Sequence, residues 1–545
     1  MIMVIRTLAW FLILTLYWAM DWLNFLQALK SALLGSLFIL ALSAWTLRDG
    51  LESRVGRLLN LLVVFLFLVL SGFHSFLRDV FGVAQDDVIV VEAIFNTNSG
   101  ESSEFILQNF WSLGKHLLIV ILAAVLYWFL LAWRPVLFRR FSRAAHSNES
   151  GRSRIITIPA VLFTGLLILA HLNPTLRKEN PLLYFPIRHA KWERSVESTR
   201  VLQDKITAAV ITDSSLATMS HTGKGPRTVV FLIGESVTRL NWSMYGYSRK
   251  TTPELESLGP QLLRFSDVVT TLGSTVGDIR LMIGPATRER PELYSVTPDI
   301  LTMASKAGYK TFWITNHSTD ISGSLAIIAG HADVTINVNR GGSRGEGSHD
   351  EVIFPEFSKA LDDPAPRKFI ILHLLQAHPA FYFRYPESFS RFNDEDDVVA
   401  RTMRSDGRSL RARKMRNYYD NAMLYSDHIL KATIDLCAAR PGQPISWLFV
   451  PDHGEDVGHY SNFVGHNNRV PAMFEIPFLF WKSDRFPLAL PEKDNLLTRA
   501  YQTDLIDHTL LGLMEIEGDY YDPSHNVLSP DFEPTPRTIA GKPYP

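Results

Sequence analysis

The chain has 545 residues, of which 47% are hydrophobic and 20% charged, and its mean hydropathy is +0.06. That value is too apolar for an ordinary soluble chain and excludes a disordered or low-complexity protein. A single cysteine, Cys437, excludes a disulfide scaffold, and a net charge of −1 with no basic stripe argues against nucleic acid as a partner.

The apolar excess lies at the front. Five runs approach the roughly 20 residues that a bilayer-spanning helix needs: one within Thr7–Leu26, then Ser31–Leu47, Leu58–Leu77, His116–Trp133 and Ile155–Asn173. The first is interrupted by Asp21 and Asn24. It lacks the small-residue cleavage site of a signal peptide, and four further runs follow it. Arg6 precedes the first run. Arg48, Arg54 and Arg57 lie between the second and third, and Arg134, Arg139, Arg140, Arg143, Arg152 and Arg154 between the fourth and fifth. The alternate loops hold only Lys30, Arg78 and Lys115. The bias predicts a cytoplasmic N-terminus, and five crossings then put everything after Asn173 outside. In a bacterium that is the periplasmic face of the inner membrane. The outward loop after the third run is acidic and polar, with Asp86, Asp87, Glu92 and Asn96-Thr97-Asn98-Ser99-Gly100-Glu101. It is long for a connector, which makes it a candidate binding element.

Residues 1–176 are thus predicted to be a five-helix transmembrane domain. Residues 177–227 read as a linker punctuated by Asn180-Pro181 and Phe185-Pro186, with an amphipathic helix over Trp192–Leu216. Residues 228–545 read as a soluble catalytic domain. Short apolar runs at Val229–Ile233, Thr311–Thr315, Phe369–Leu375, Ser446–Val450 and Ile476–Trp481 alternate with helical stretches. That pattern predicts an α/β domain whose parallel or mixed sheet is covered on both faces. Ligands of such sheets bind beyond the carboxyl ends of the strands.

Three strand ends carry metal-type chemistry. The first leads into Gly234-Glu235-Ser236, the third into Gln376-Ala377-His378-Pro379, and the fourth into Pro451-Asp452-His453-Gly454-Glu455 with Gly465-His466-Asn467 close behind. Carboxylates and imidazoles at one sheet edge suit zinc or manganese. His373, inside an apolar strand, reads as a satisfied core histidine. Thr270-Thr271-Leu272-Gly273-Ser274-Thr275-Val276-Gly277 precedes a helical stretch at Asp278–Ile283. A hydroxyl there, Ser274 or Thr275, is either a helix N-cap or a nucleophile whose pKa a metal lowers.

The stretches Val229 to Ser236 and Tyr245-Gly246-Tyr247-Ser248-Arg249-Lys250-Thr251-Thr252-Pro253 resemble the opening of the bacterial phosphoethanolamine transferases, of the alkaline phosphatase and sulfatase superfamily. The resemblance extends to Thr97-x-x-x-Glu101, Gly273-Ser274-Thr275, Gln376-Ala377-His378-Pro379, Tyr419-Asp420-Asn421-Ala422 and Asp452-His453-Gly454-Glu455 with His466. It implies an alkaline-phosphatase-like domain with a central mixed sheet, carried on the five-helix bundle. It implies that Thr275 is the nucleophile and that Glu235, Thr275, Asp452 and His453 hold one or two zinc ions. His378 and His466 would hold the phosphate or a second metal, and Thr97 and Glu101 the lipid headgroup. His459 rivals His466, although the Gly465-His466 context favours the latter. The implied donor is phosphatidylethanolamine, and the implied acceptor is an envelope glycan: lipopolysaccharide or an osmoregulated periplasmic glucan. Members acting on lipid A carry several disulfides, whereas here Leu281 stands where one of their cysteines lies and Cys437 is alone. The pattern around Gly273-Ser274-Thr275 and Ala307 to Trp313 is similar to the glucan type. A phosphoglycerol transferase and a degenerate membrane sensor are the alternatives. A sulfatase proper lacks support, because Ser274-Thr275-Val276-Gly277-Asp278 does not fit a formylglycine motif.

Overall fold

A computed structural model describes the chain from residue 218 to its end, apart from 291–292, 294–297, 318–323, 340–348, 394–395 and 540. Before that it describes 106–107, 109–132, 149–177, 180, 183 and scattered residues between 30 and 76. Thr97, Glu101 and the expected amphipathic helix at Trp192–Leu216 therefore lie outside the described residues, as do the first apolar run and parts of the second and third. Two compact units divide the chain, the second comprising Val196–Pro545 and two short earlier segments.

In the first unit, α1 (Phe110–Ala132) and α2 (Glu149–Leu172) coincide with the fourth and fifth apolar runs. Leu118, Leu122 and Val125 of α1 and Ile158, Leu162 and Leu169 of α2 are all exposed. The residues described with their side chains are 110–126 and 157–172 in these helices. Among the described residues no helix is long and apolar enough to cross a membrane.

The second unit is built on a seven-stranded sheet. Its strands are β1 (Arg227–Gly234), β2 (Leu263–Phe265), β3 (Lys310–Thr315), β4 (Val334–Asn337), β5 (Arg367–His373), β6 (Ile445–Pro451) and β7 (Phe478–Lys482). Their spatial order is β2-β7-β6-β1-β5-β3-β4. The five strands from β6 to β4 run parallel, and β7 is antiparallel to both β6 and β2. The sheet is therefore mixed.

The central strands are apolar on both faces because both faces are covered. Val229, Phe231 and Ile233 of β1 point into one core with Phe369, Ile371, Leu448 and Val450. That core is closed by α3 (Thr275–Ile283), α4 (Ile300–Lys306) and α7 (Ile506–Leu513). Val230 and Leu232 point into the other core with Ile370, Leu372, Trp447 and Phe449, under α5 (Phe354–Leu361) and α6 (Leu410–Ala438). All eight positions of β1 are buried.

The register fixes the site. Gly234 pairs with Pro451, Ile233 with His373, and His373 with Thr315. The residues that follow β1, β3, β5 and β6 therefore emerge side by side at the carboxyl edge, where a doubly covered sheet binds its ligands.

Candidate active site

Glu235 follows β1 directly, and Asp452 and His453 follow β6. All three side chains are fully buried. The turn after β1 is tight. Ser236 adopts φ 58°, left-handed and unfavourable for a residue with a side chain. A Cβ on Gly234 would lie 2.3 Å from Gln376 Oε1 and 2.8 Å from the Phe449 ring, so a side chain there would displace both. Gln376 Oε1 in turn accepts from the Glu235 N–H.

Thr275 arrives from the opposite direction. The loop before it is gathered by Asp278, whose buried carboxylate accepts from the N–H groups of Thr271, Leu272 and Ser274 at 2.8 to 3.0 Å. Gly273 supplies the turn at φ 68°. Ser274 is the extended residue before α3 but makes no side-chain cap bond, so Thr275 opens the helix. The helix starts three residues before the stretch expected from sequence. Its first turn points N–H groups and positive dipole character at the same place.

Four donor groups converge there. Thr275 Oγ1 lies 3.2 Å from Glu235 Oε2 and 3.2 Å from His453 Nε2. His453 Nε2 lies 3.6 Å from Glu235 Oε1 and 3.5 Å from Asp452 Oδ2. His453 Nδ1–H donates to the Gly454 carbonyl at 2.8 Å, which leaves the Nε2 lone pair facing the cluster. Asp452 Oδ2 is buried with no hydrogen-bond partner among the described residues. Oxygens and nitrogens about 2.0–2.1 Å from a tetrahedral zinc sit about 3.3 Å from one another. The observed spacings match that edge, so these residues fit a zinc ion.

The electrostatics agree. Burial, and then the neighbouring Asp452, push the Glu235 carboxyl up to about 7. Burial likewise pushes Asp452 up to about 7. Two anions held side by side away from water call for a cation. Burial, and then His466, hold His453 below the usual imidazole range, so it is neutral and able to ligate.

The other expected residues divide. His466 joins the cluster: a nitrogen of its ring groups with Glu235 and His453, and its ring centroid is 4.7 Å from that of His453. Its Nδ1 is 2.9 Å from the buried Glu455. Burial opposes a charge on His466, but the Glu455 carboxylate outweighs it and raises the ring to about 9. His378 is half-buried, its ring held well below the usual range by desolvation and then by Arg384, and its Nδ1 has no partner among the described residues. His459 turns elsewhere. Its Nε2 bonds Asn241 Oδ1 at 2.8 Å, and Asn241 in turn donates to Asp420. That network, which includes Arg249 and Tyr247, ties the Tyr247–Thr252 stretch to α6.

Two histidines stand differently from expectation. His373 is buried as anticipated but not satisfied: Nδ1 meets Thr315 Oγ1 at 3.3 Å, while Nε2 has no partner among the described residues. His317 had no assigned role. It follows β3 by two residues, and its Nε2 is 3.7 Å from Glu235 Oε2. Register alone brings it there. The available signal was its position just past a strand of the same sheet edge.

Comparison with known proteins fits this geometry. The family model described as Sulfatase matches residues 227–516. Phosphoethanolamine transferase EptC of Escherichia coli K12 is 35% identical over 337 residues, covering 59% of this chain and 57% of EptC. The chain thus spans little more than half the length of that relative in the match. A crystal structure of the C-terminal periplasmic domain of E. coli EptC in complex with Zn is 32% identical, with a TM-score of 0.56 over 60% of this chain and 94% of that one. The integral membrane protein lipooligosaccharide phosphoethanolamine transferase A of Neisseria meningitidis, 20% identical, shares the fold at a TM-score of 0.63 over 96% of this chain and 97% of its own. The chain is homologous to EptC over the matched part, on an alkaline-phosphatase-like fold, and it belongs to the sulfatase family.

Proposed function

We propose that this protein is a zinc-dependent phosphoethanolamine transferase of the bacterial inner membrane. It moves phosphoethanolamine from phosphatidylethanolamine to an envelope glycan, lipopolysaccharide or a periplasmic glucan. The observation that carries the reading is the Thr275 hydroxyl at a helix N-terminus, 3.2 Å from both Glu235 and His453. The kinship with EptC supports it.

Glu235, Thr275, Asp452 and His453 would hold the metal. A divalent cation there supplies the positive charge that favours an ionised hydroxyl at neutral pH. Thr275 Oγ1 attacks phosphorus, the bond from phosphorus to the diacylglycerol oxygen breaks, and a covalent phosphoethanolamine-threonine remains. His466, kept protonated by Glu455, neutralises a phosphoryl oxygen and is placed to give the leaving oxygen its proton. His378 supports the phosphoryl group from the other strand end. An acceptor hydroxyl then displaces Thr275. Residues 177–227 serve as the linker between the catalytic domain and the membrane.

Donor access belongs to the N-terminal part. Five apolar runs with arginine-rich alternate loops would place 1–176 in the bilayer and the catalytic domain in the periplasm. The exposed leucines and isoleucines of α1 and α2 suit a lipid surface, and the integral membrane relative shares the fold along nearly the whole chain. Thr97 and Glu101 would hold the headgroup.

The test is release of diacylglycerol from phosphatidylethanolamine vesicles by the purified full-length protein with zinc. Wild type releases it, and Thr275→Ala does not. Release from phosphatidylglycerol instead would make the protein a phosphoglycerol transferase, and release by Thr275→Ala would remove the nucleophile.

A further inference from the structure

Gln376 stands at the carboxyl edge of the sheet, past the end of β5 and before His378, and it is 3% exposed. The turns after β1 and β5 are joined there in both directions. The Glu235 N–H donates to Gln376 Oε1 at 3.3 Å, and the Ala377 N–H donates to the Glu235 carbonyl at 3.2 Å. A backbone N–H needs an oxygen, so the first bond also settles which end of the amide is the nitrogen. That nitrogen, Nε2, carries two N–H donors, is buried, and meets no hydrogen-bond partner among the described residues.

The backbone beneath it is unfavourable. Gln376 adopts φ 25°, in the left-handed region where glycine is the usual residue. Asp350, buried just ahead of α5, holds it there. Asp350 Oδ2 accepts from the Gln376 N–H and Oδ1 from the Leu375 N–H, both at 2.8 Å. Oδ1 also accepts from Asn316 Nδ2 at 2.9 Å, so one carboxylate ties together the chain ends of β3 and β5. Ser236, in the adjoining turn, is left-handed as well. Strain of this kind collects at active sites. Glycine would relieve it at position 376, yet the chain keeps a side chain there, one amide end anchored and the other open. A buried donor without a partner calls for one, and at this edge of the sheet the partner is a ligand atom.

We infer that Gln376 is a further catalytic residue, whose Nε2–H donates to a non-bridging oxygen of the phosphoryl group as that group passes to and from Thr275. The inference rests on the proposed transfer. Phosphoryl oxygens only accept hydrogen bonds, and Glu235 and Asp452 beside them offer no donor when ionised. The amide is neutral, keeps its proton throughout, and is fixed before the substrate arrives. It therefore stabilises the charge that develops on oxygen in the transition state without having to reorganise. Asp350 is the positioning residue behind it, acting through the turn.

The test is kcat and KM for diacylglycerol release from phosphatidylethanolamine vesicles by the full-length protein with zinc, together with zinc content per chain. Gln376→Glu keeps an oxygen for the Glu235 N–H and puts a second oxygen where the donor was. Gln376→Gly removes the whole side chain but suits the left-handed backbone, so it tests the role even if the first variant fails to fold. Both should lose about 100-fold in kcat, with KM little changed and zinc retained. Wild-type kcat in Gln376→Glu, with the loss confined to Gln376→Gly, leaves Gln376 only holding the Glu235 turn and overturns the donor role. Wild-type kcat in both gives Nε2 to an ordered water and overturns it too, as does loss of zinc from both variants, which moves the effect to the metal ligands. No release by wild type overturns the proposed transfer and this inference together.

Discussion

Glu235 is a carboxylate with no water around it, and its behaviour without metal can be worked out. In the unfolded chain its pKa is 4.5, and in the folded one burial and Asp452 raise it to about 7. Between those values the native state holds a proton that the unfolded state has lost, so stability falls as pH rises through this window. At about 1.4 kcal/mol per pH unit the loss is about 3 kcal/mol, complete above pH 7. Glu235→Gln has nothing to titrate. In chelator, its stability relative to wild type should therefore improve by about 3 kcal/mol between pH 4.5 and pH 7.5. At roughly 2 °C per kcal/mol that is about 6 °C. Zinc nearly cancels that advantage at pH 7.5: at about 100 times Kd it adds about 2.7 kcal/mol to wild type, and little to the variant. Asp452→Asn should act in the same direction. The double variant should give less than the sum, because Asp452 is part of what raises Glu235. The assay is thermal unfolding of the full-length protein, followed through the environment of the buried Trp242, Trp313 and Trp447. A gap between wild type and Glu235→Gln that is the same at both pH values would refute the reasoning.

Glu455→Gln removes the carboxylate that raises His466 to about 9. The alkaline limb of the kcat/KM profile should move down toward the ordinary histidine value of about 6.5, and an unshifted limb would take the proton role from His466. Arg249 bonds Asp420 and Asp397 at 2.7 and 2.6 Å, and both Arg249 and Asp420 are buried. Arg249→Met should cost about 3–5 kcal/mol by stranding Asp420, with a large part regained in the Arg249→Met/Asp420→Asn double variant; thermal unfolding would show both, and no recovery would contradict the pairing. Burial pushes the Cys437 thiol well up, so in the native protein it should react with a thiol reagent only on unfolding. Rapid native labelling, read by mass spectrometry, would disagree.

Much of the second unit is legible in the sequence for one reason. A strand covered on both faces is apolar at every position, and Val229–Ile233, Thr311–Thr315 and Ser446–Val450 fall inside β1, β3 and β6. β2 and β4 were not legible. They are short edge strands, and β4 alternates half-buried with exposed positions, so no apolar run marks it. Glu235, Asp452 and His453 were legible because they directly follow strands of one sheet. Thr275 needed the family resemblance to separate it from Ser274. The structure separates them by backbone, since Ser274 is extended and Thr275 is the first helical residue. His317 was not legible, because Asn316-His317-Ser318 reads as a loop until β3 and β5 are paired. Asp278 read as an ordinary residue of a helical stretch, and its three bonds to the preceding loop emerge only once that loop is folded back.

The central claim is that Thr275 carries the phosphoryl group. Incubating the full-length protein with phosphatidylethanolamine and zinc, without acceptor, should leave a phosphoethanolamine adduct on the peptide that contains Thr275, read by mass spectrometry. The adduct should be absent in Thr275→Ala and in chelator. An unmodified Thr275 while diacylglycerol is released, or an adduct on another residue, would contradict the account.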